Sequence, residues 1–441
     1  MAAVCLATLT GVAPASAQDT RQREQWAVAP GTVFDLPGAW ELTRGAGVVV
    51  AVVDSGTRID HPDLAKNIWT NFGEVPRNGK DDDGNGYVDD VHGVDLTTRR
   101  ETQNLTDGAG HGTHVAGTIA AARNGRGVVG VAPEARIMTV KVLDANGAGN
   151  MGAVADGISY AAANGARIIN LSLGGPFRDK WLAAAVKTAN AANVLIIASA
   201  GNEGISIDRQ PFYPASFPSP NVIAVAATAP NSGRQLPDFS NFGKLTVPIA
   251  APGEEVLSTS KTGGYEYKSG TSMAAPHATG VAALMAAVRP DASAAELRAM
   301  MLQAAGRSSL PVGSGYLDAA RSVVQAMNGS SYNGAQRPSV RILLATRNRS
   351  GIVAQIASLG NVRAISRYKV TLGGRTVAGV KHRSSPFAVR IRSRRGGTLK
   401  VDALDRRGGV LASATRRVVA VRKRKGNPKR GRHVGGSVHI G

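Results

Sequence analysis

Between Gly45 and Ala227 one theme repeats: a short apolar run rich in β-branched residues, a turn, then an Ala-rich stretch with helical spacing. The runs are Val48–Val53, Ile137–Leu143, Arg167–Leu173, Val194–Ala198 and Val222–Ala226, and none alternates apolar with polar residues. Strands that are apolar throughout are covered on both faces, the condition of a parallel sheet held between helices. Helical spacing recurs at His114–Ala122, Gly152–Asn164 and Lys180–Asn190. The pattern predicts an α/β fold, a mostly parallel central sheet flanked by helices. Ligands of such sheets bind beyond the carboxyl ends of the strands, so the residues that follow the runs are the ones to inspect.

From Arg337 onward the pattern changes to short alternating strands broken by Gly-rich turns, beginning at Val340–Leu344 and continuing through Tyr368–Leu372, Val377–Val380, Ala388–Arg392, Leu399–Ala403 and Val410–Thr415. This predicts a small all-β, immunoglobulin-like sandwich. The expected organisation is a leader over 1–17, a short N-terminal segment over 18–35, an α/β domain over 36–327, a linker over 328–337, a sandwich over 338–421 and a basic disordered tail over 422–441.

The formal net charge of +21 suggests a nucleic-acid binder until its location is considered. Residues 1–330 carry 26 Lys and Arg against 29 Asp and Glu, a net of −3, and residues 331–441 carry 26 against 2, a net of +24. The charge therefore belongs to the appended region. Arg422, Lys423, Arg424, Lys425, Lys429, Arg430 and Arg432 fall within eleven residues, a density that attracts polyanions through counterion release. Tyr368 and Phe387 are the sandwich's aromatics, too few for a base-stacking platform, so specific nucleic-acid binding is not expected. Anionic cell-wall polymers or a membrane surface are the expected partners of the tail.

Met1–Ala17 is apolar and small and ends in Ala15-Ser16-Ala17, the pattern of a secretory leader and its cleavage site, which predicts an exported protein. Cys5, the single cysteine, lies inside this segment. A chain beginning near Gln18 has no disulfide to stabilise it, and a metal ion becomes the expected staple.

Three motifs carry chemistry. Asp54 ends the first run, placing a carboxylate at the tip of a buried strand, where it needs a partner. His111 stands between Gly110 and Gly112 in a Gly-His-Gly-Thr-His sequence at a helix start. Ser272 opens the apolar helix that follows Gly270-Thr271, with the positive end of the helix dipole behind it, a setting that suits an anionic tetrahedral intermediate. Taken singly, each has a plainer reading as a turn former, a tolerated turn residue or an N-cap.

Together, in the order Asp, His, Ser, these motifs resemble the subtilisin-like serine proteases, from about Gln25 to Ala326. The resemblance implies a secreted peptide hydrolase with Asp54, His111 and Ser272 as its triad, acting through an acyl-enzyme. It assigns Asn202, in Ala-Gly-Asn-Glu-Gly, as side-chain donor to the oxyanion. It makes Ser172, Leu173, Gly174 and Gly175 one wall of the pocket for the residue before the scissile bond, and Ala145–Gly149, with Gly147, the opposite edge, where extended substrate adds as a strand. Ser199 with the glycines suggests a neutral, open pocket. Tyr213-Pro214-Ala215 resembles a segment with a cis proline. The resemblance also implies a propeptide, for which Gln18–Gln25 is too short. His114 and His277 are assigned to structure.

Asn78–Asp90 gathers five aspartates around glycine turns, and Asp81, Asp83, Asn85, the Tyr87 carbonyl and Asp89 follow the spacing of a calcium loop. His92 stands where that pattern has its final Glu. Because subtilases often carry structural calcium in surface insertions, Ca²⁺ is the expected cofactor. A secreted, monomeric serine endopeptidase acting on proteins or peptides is the leading reading. A peptide ligase or macrocyclase on the same fold, and a non-catalytic binding protein, are the alternatives.

Overall fold

The computed structural model describes residues 18–98, 104–230, 234–328, 339–348, 351–359, 366–381, 387–391, 397–418 and 437–440. The expected leader over 1–17, nearly all of the expected linker and the run of basic residues from Arg422 to Arg432 lie outside them. In chain order the first part contributes β1 (Val49–Asp54), β2 (Gly93–Asp95), β3 (Arg136–Lys141), β4 (Ala148–Asn150), β5 (Ile168–Leu171), β6 (Leu173–Gly174), β7 (Leu195–Ser199), β8 (Val222–Thr228), β9 (Ile249–Pro252), β10 (Val256–Thr259), β11 (Tyr265–Lys268) and β12 (Gly315–Tyr316). Its helices are α1 (Leu36–Trp40), α2 (His111–Ala120), α3 (Met151–Ala163), α4 (Lys180–Ala191), α5 (Thr271–Val288), α6 (Ala294–Ala304) and α7 (Ala319–Asn328).

Eight of these strands form one parallel sheet in the order β12-β9-β8-β7-β5-β1-β3-β2. All five apolar runs are among them. β1 shows why they do not alternate: Val50 and Val52 enter one core with α2, α5, α6 and α7, and Val49, Ala51 and Val53 enter a second core with α3 and α4. A strand between two apolar layers has no solvent face to carry polar residues. β3 is laid on one side of β1 and β5 on the other, so the strand order reverses at β1, the place where such sheets hold their ligands.

α5 is buried along its length except at Val288, which explains why it is small and apolar all round rather than amphipathic. Helix starts follow the expected chemistry: Asp179 accepts from the N–H groups of Trp181 and Leu182 at 2.7 and 2.8 Å, and Ser293 with Glu296 forms a capping box at α6.

The later part contains β13 (Ser339–Asn348), β14 (Gly351–Leu359), β15 (Arg367–Leu372), β16 (Arg375–Lys381), β17 (Phe387–Ile391), β18 (Gly397–Leu404) and β19 (Val410–Val418). They make two antiparallel sheets, β13-β14-β17 and β16-β15-β18-β19, around a core that includes Ile342, Ile356, Tyr368, Val370 and Val401. In β15, Tyr368 and Val370 are buried and Arg367 and Lys369 are exposed, so these basic residues stand on the outer face. The last strand, β20 (Ser437–Ile440), lies between β4 and β6. A tail without structure was expected there, and these four residues depart from that expectation.

Candidate active site

Asp54 closes β1, and its fully buried carboxylate accepts from its neighbour's N–H, that of Ser55, at 2.7 Å. The same oxygen, Oδ1, lies 2.8 Å from Nδ1 of His111. A carboxylate only accepts, so Nδ1 carries the proton and Nε2 is left with its lone pair. Nε2 is buried and has no hydrogen-bond partner among the described residues. This approach of α2 to β1 depends on Gly112, where a β-carbon would stand 2.1 Å from the carbonyl oxygen of Gly56 and 3.1 Å from Cβ of Asp54. The glycine after the histidine is thus a requirement of contact.

Two side chains outside the sequence motifs hold this corner. Asp107 accepts from the Ser55 hydroxyl and the Gly110 N–H through Oδ1, both at 2.7 Å, and from the Thr113 N–H through Oδ2 at 2.7 Å. It thereby caps α2 and ties it to the residue after Asp54. Lys141, opposite Asp54 in the β1–β3 register, donates to the carbonyls of Ser55 and Leu143 at 2.5 and 2.7 Å. Burial lowers its pKa, and the surrounding carboxylates of Asp95, Asp107 and Asp54 oppose that shift. An acid just before a helix is a readable cap signal. Lys141 left none, since both of its partners are backbone carbonyls, one on the turn after β1 and one two residues further along its own segment.

Ser272 is the second residue of α5, in the turn where helix N–H groups lack intrahelical acceptors. Its hydroxyl donates to the carbonyl of Ser172 at 3.0 Å, and the Ser172 hydroxyl donates to the carbonyl of Ser272 at 2.8 Å. The second bond has a cause in the sequence. Pro276, four residues on, has no N–H to give the Ser272 carbonyl, and Ser172 supplies the missing donor. Asn170 donates in turn to Ser172 Oγ at 2.9 Å.

Asn202 lies on the loop after β7. Its Oδ1 accepts from the N–H and hydroxyl of Thr271 at 2.8 and 3.0 Å, which fixes the carboxamide beside Ser272 and leaves Nδ2 as its donor. The Thr271 hydroxyl also accepts from the Gly201 N–H at 3.0 Å. Asn241 pins the rest of the loop, donating to Ala200 O at 2.9 Å and accepting from the N–H groups of Glu203 and Ile205 at 3.1 and 3.0 Å.

Of the expected wall residues, Leu173 and Gly174 form β6, and a β-carbon at Gly174 would lie 2.2 Å from the Phe212 ring. Gly147 turns the chain into β4 at a φ of 74°. Ser199 is fully buried at the end of β7, and its hydroxyl has no partner among the described residues. The Tyr213–Pro214 peptide is cis. His114 and His277 are buried and donate to backbone carbonyls, His114 Nε2 at 3.0 Å to Val256 and His277 Nδ1 at 2.9 Å to Met273. Burial lowers their pKa values to about 3 and about 4, so both rings are neutral.

The acidic loop folds differently from the spacing expected of it. Asp81 accepts from the N–H groups of Gly84, Asn85 and Gly86, and Asp89 from those of Asn78 and Gly79. Both carboxylates therefore shape turns. Tyr87 sets its ring edge-on to Tyr160, 5.0 Å between centroids. Of the five expected calcium ligands, Asp83 joins a buried cluster with Glu74 and Asp90, in which one oxygen from each lies within 4.8 Å of the others. Asn71 bridges Asp83 and Asp90 at 3.0 and 2.9 Å, and Asn85 donates to Asp90 at 2.9 Å. Burial, reinforced by mutual repulsion, raises Glu74 to about 7, Asp83 to about 6 and Asp90 to about 7.

The subtilase family model matches residues 45–337. The chain belongs to the subtilase family. An intracellular serine protease of Paenibacillus polymyxa is 40% identical over 288 residues, 64% of this chain and 79% of the relative. Thermitase of Thermoactinomyces vulgaris is 40% identical over 277 residues, 63% of this chain and 87% of the relative. Among solved structures, a protease of Pseudoalteromonas arctica aligns with a TM-score of 0.60 at 30% identity, covering 70% of this chain and 99% of its own. This subtilase is a serine-type endopeptidase. The family match begins at residue 45, later than the resemblance read from about Gln25, and runs past Ala326 to 337.

Proposed function

We propose that this subtilase hydrolyses peptide bonds through Asp54, His111 and Ser272 and an acyl-enzyme intermediate. The observation that carries the reading is the 2.8 Å Asp54–His111 contact, which leaves the basic Nε2 without a partner. In the reaction Nε2 takes the hydroxyl proton of Ser272 as Oγ bonds to the scissile carbonyl carbon. The proton then passes to the leaving amine as the C–N bond breaks, and water repeats the sequence to release the acid. Asn202 Nδ2 and the Ser272 N–H stabilise the oxyanion, a side-chain donor of this kind contributing about 3–4 kcal/mol. The Ser272 hydroxyl, turned to Ser172 here, rotates toward Nε2 when substrate arrives. Ser172, Leu173 and Gly174 form one wall of the pocket, with Gly147 on the opposite edge and Ser199 at its base.

Calcium fits the cluster of Glu74, Asp83 and Asp90. All three are buried oxygen donors, and no ion pair joins them to Lys or Arg among the described residues. Bound there, the ion would supply the charge that their burial lacks and staple the loop. Export rests on the leader-like Met1–Ala17, and retention on anionic wall polymers or membranes on the basic residues from Arg422 to Arg432. The seven-stranded sandwich, of immunoglobulin-like type, is the spacer between enzyme and anchor, and the enzyme acts as a monomer. No helix among the described residues is long and apolar enough to cross a membrane.

Incubating the protein with casein and with a short peptide, with and without a fluorophosphonate, tests the reading. Cleavage lost together with labelling of Ser272 is the expected result. No labelling overturns it, and joined peptides in place of fragments make the enzyme a ligase.

A further inference from the structure

β4 and β6 are not paired with each other. Each is paired antiparallel with β20, Ser437 opposite Asn150, Val438 opposite Gly149 and His439 opposite Ala148 on one side, His439 opposite Gly174 and Ile440 opposite Leu173 on the other. β4 and β6 are also the two edges between which the sequence reading sets an extended substrate. Direction strengthens the correspondence. From His439 to Ile440 the chain advances from Gly174 to Leu173, toward Ser172, whose main chain and side chain both bond to Ser272. The segment thus approaches the nucleophile with its carboxyl side leading, the polarity that an acyl donor needs.

We propose that Ser437–Ile440 is an intramolecular occupant of the substrate cleft, making the C-terminal region a competitive autoinhibitory strap. This rests on the peptidase reading of the site. Both walls are short, three residues in β4 and two in β6, so either edge alone offers few backbone hydrogen bonds. A strand inserted between them uses both. Any extended peptide that displaces β20 recovers the same main-chain bonds, so the competition is for the cleft as a whole. Tethering makes the contest unequal, because a segment held on the same chain acts at an effective concentration on the order of 1 mM.

The experiment compares three proteins on a small neutral chromogenic peptide: the full chain, the chain ended after Val421, and the full chain carrying His439→Pro. The proline removes the backbone donor at the one position registered with both walls and keeps the basic residues. Both altered forms are expected to show KM lowered about tenfold with kcat unchanged, the signature of a competitor removed. Fluorophosphonate labelling should speed up by a similar factor, and the peptide Ser-Val-His-Ile added to the shortened chain should inhibit it competitively. Equal KM and equal labelling rates in all three active proteins overturn the strap and leave the peptidase standing. No hydrolysis and no labelling in any of them overturns the peptidase reading, and the strap with it.

Discussion

Ser172 and Ser272, a hundred residues apart, exchange hydrogen bonds: each hydroxyl donates to the other's carbonyl, at 2.8 and 3.0 Å. The proposed wall of the cleft and the proposed nucleophile are thus one hydrogen-bonded unit. The bond to the Ser272 carbonyl fills a place that Pro276 cannot serve from within α5.

Ser172→Ala leaves that carbonyl buried without a donor, and should cost about 1–3 kcal/mol in a urea titration. In a Pro276→Ala background the restored N–H serves the carbonyl, and the cost of Ser172→Ala should fall by about half or more. An unchanged cost in that background would show that the proline is not the cause. Both titrations are made on Ser272→Ala protein to prevent autolysis.

The anchor that Asn202 gives Thr271 and the oxyanion role proposed for it are separable. Asn202→Ala should lower kcat about 10²–10³-fold and also loosen the Thr271 anchor. Asn202→Asp keeps the acceptor for the Thr271 N–H and loses the amide donor. It should therefore retain the melting temperature and still lose kcat. A kcat near the unsubstituted value in Asn202→Asp would remove this side chain from the oxyanion site.

His114 and His277 give stability a dependence on acid. Their folded pKa values, about 3 and about 4, lie below the ordinary 6.5, so between those limits the unfolded chain binds the protons. Stability contributed by the neutral rings is complete above pH 6.5 and is lost as pH falls toward 4 and then 3. Replacing His277 with Asn, neutral at every pH and able to donate to Met273, should flatten the melting temperature over part of this range. An unchanged slope would argue against the buried neutral ring.

Glu74, Asp83 and Asp90 act in the opposite sense. With pKa values raised to about 7, 6 and 7, the folded cluster holds protons that the unfolded chain has lost, so without a cation stability declines as pH rises from about 4 through 7. Calcium should reverse this, raising the melting temperature at pH 8, and a chelator should lower it. Asp90→Asn should reduce both responses. A melting temperature indifferent to chelator and calcium alike would exclude the metal.

The central strands were legible because burial on both faces writes an unbroken apolar run. The places of Asp54, His111 and Ser272 at the ends of elements were legible because the neighbouring glycines show through there. The short edges Gly93–Asp95 and Gly315–Tyr316 carry no such run and exist only by pairing with β3 and β9. β14, from Gly351 to Leu359, is strand by virtue of β13 and β17 on either side, and its Ala-Gln-Ile-Ala sequence has no strong local preference. In the acidic loop, spacing along the chain and proximity in the fold group the residues differently. A count along the chain admits Asp81 and Asp89 and omits Glu74 and Asp90, whereas the fold sets Asp83 beside Glu74 and Asp90 and has Asp81 and Asp89 accept from turn N–H groups.

The two apolar layers on either side of β1 have a consequence for redesign. Ser272 is carried by a helix rooted in one layer, and Leu173, in the proposed pocket wall, is rooted in the other. Preference for a new substrate can be sought by repacking the layer under α3 and α4, with the bond between Ser172 and Ser272 as the seam that every such change has to respect. The proposed nucleophile and the proposed pocket wall are mounted on separate foundations.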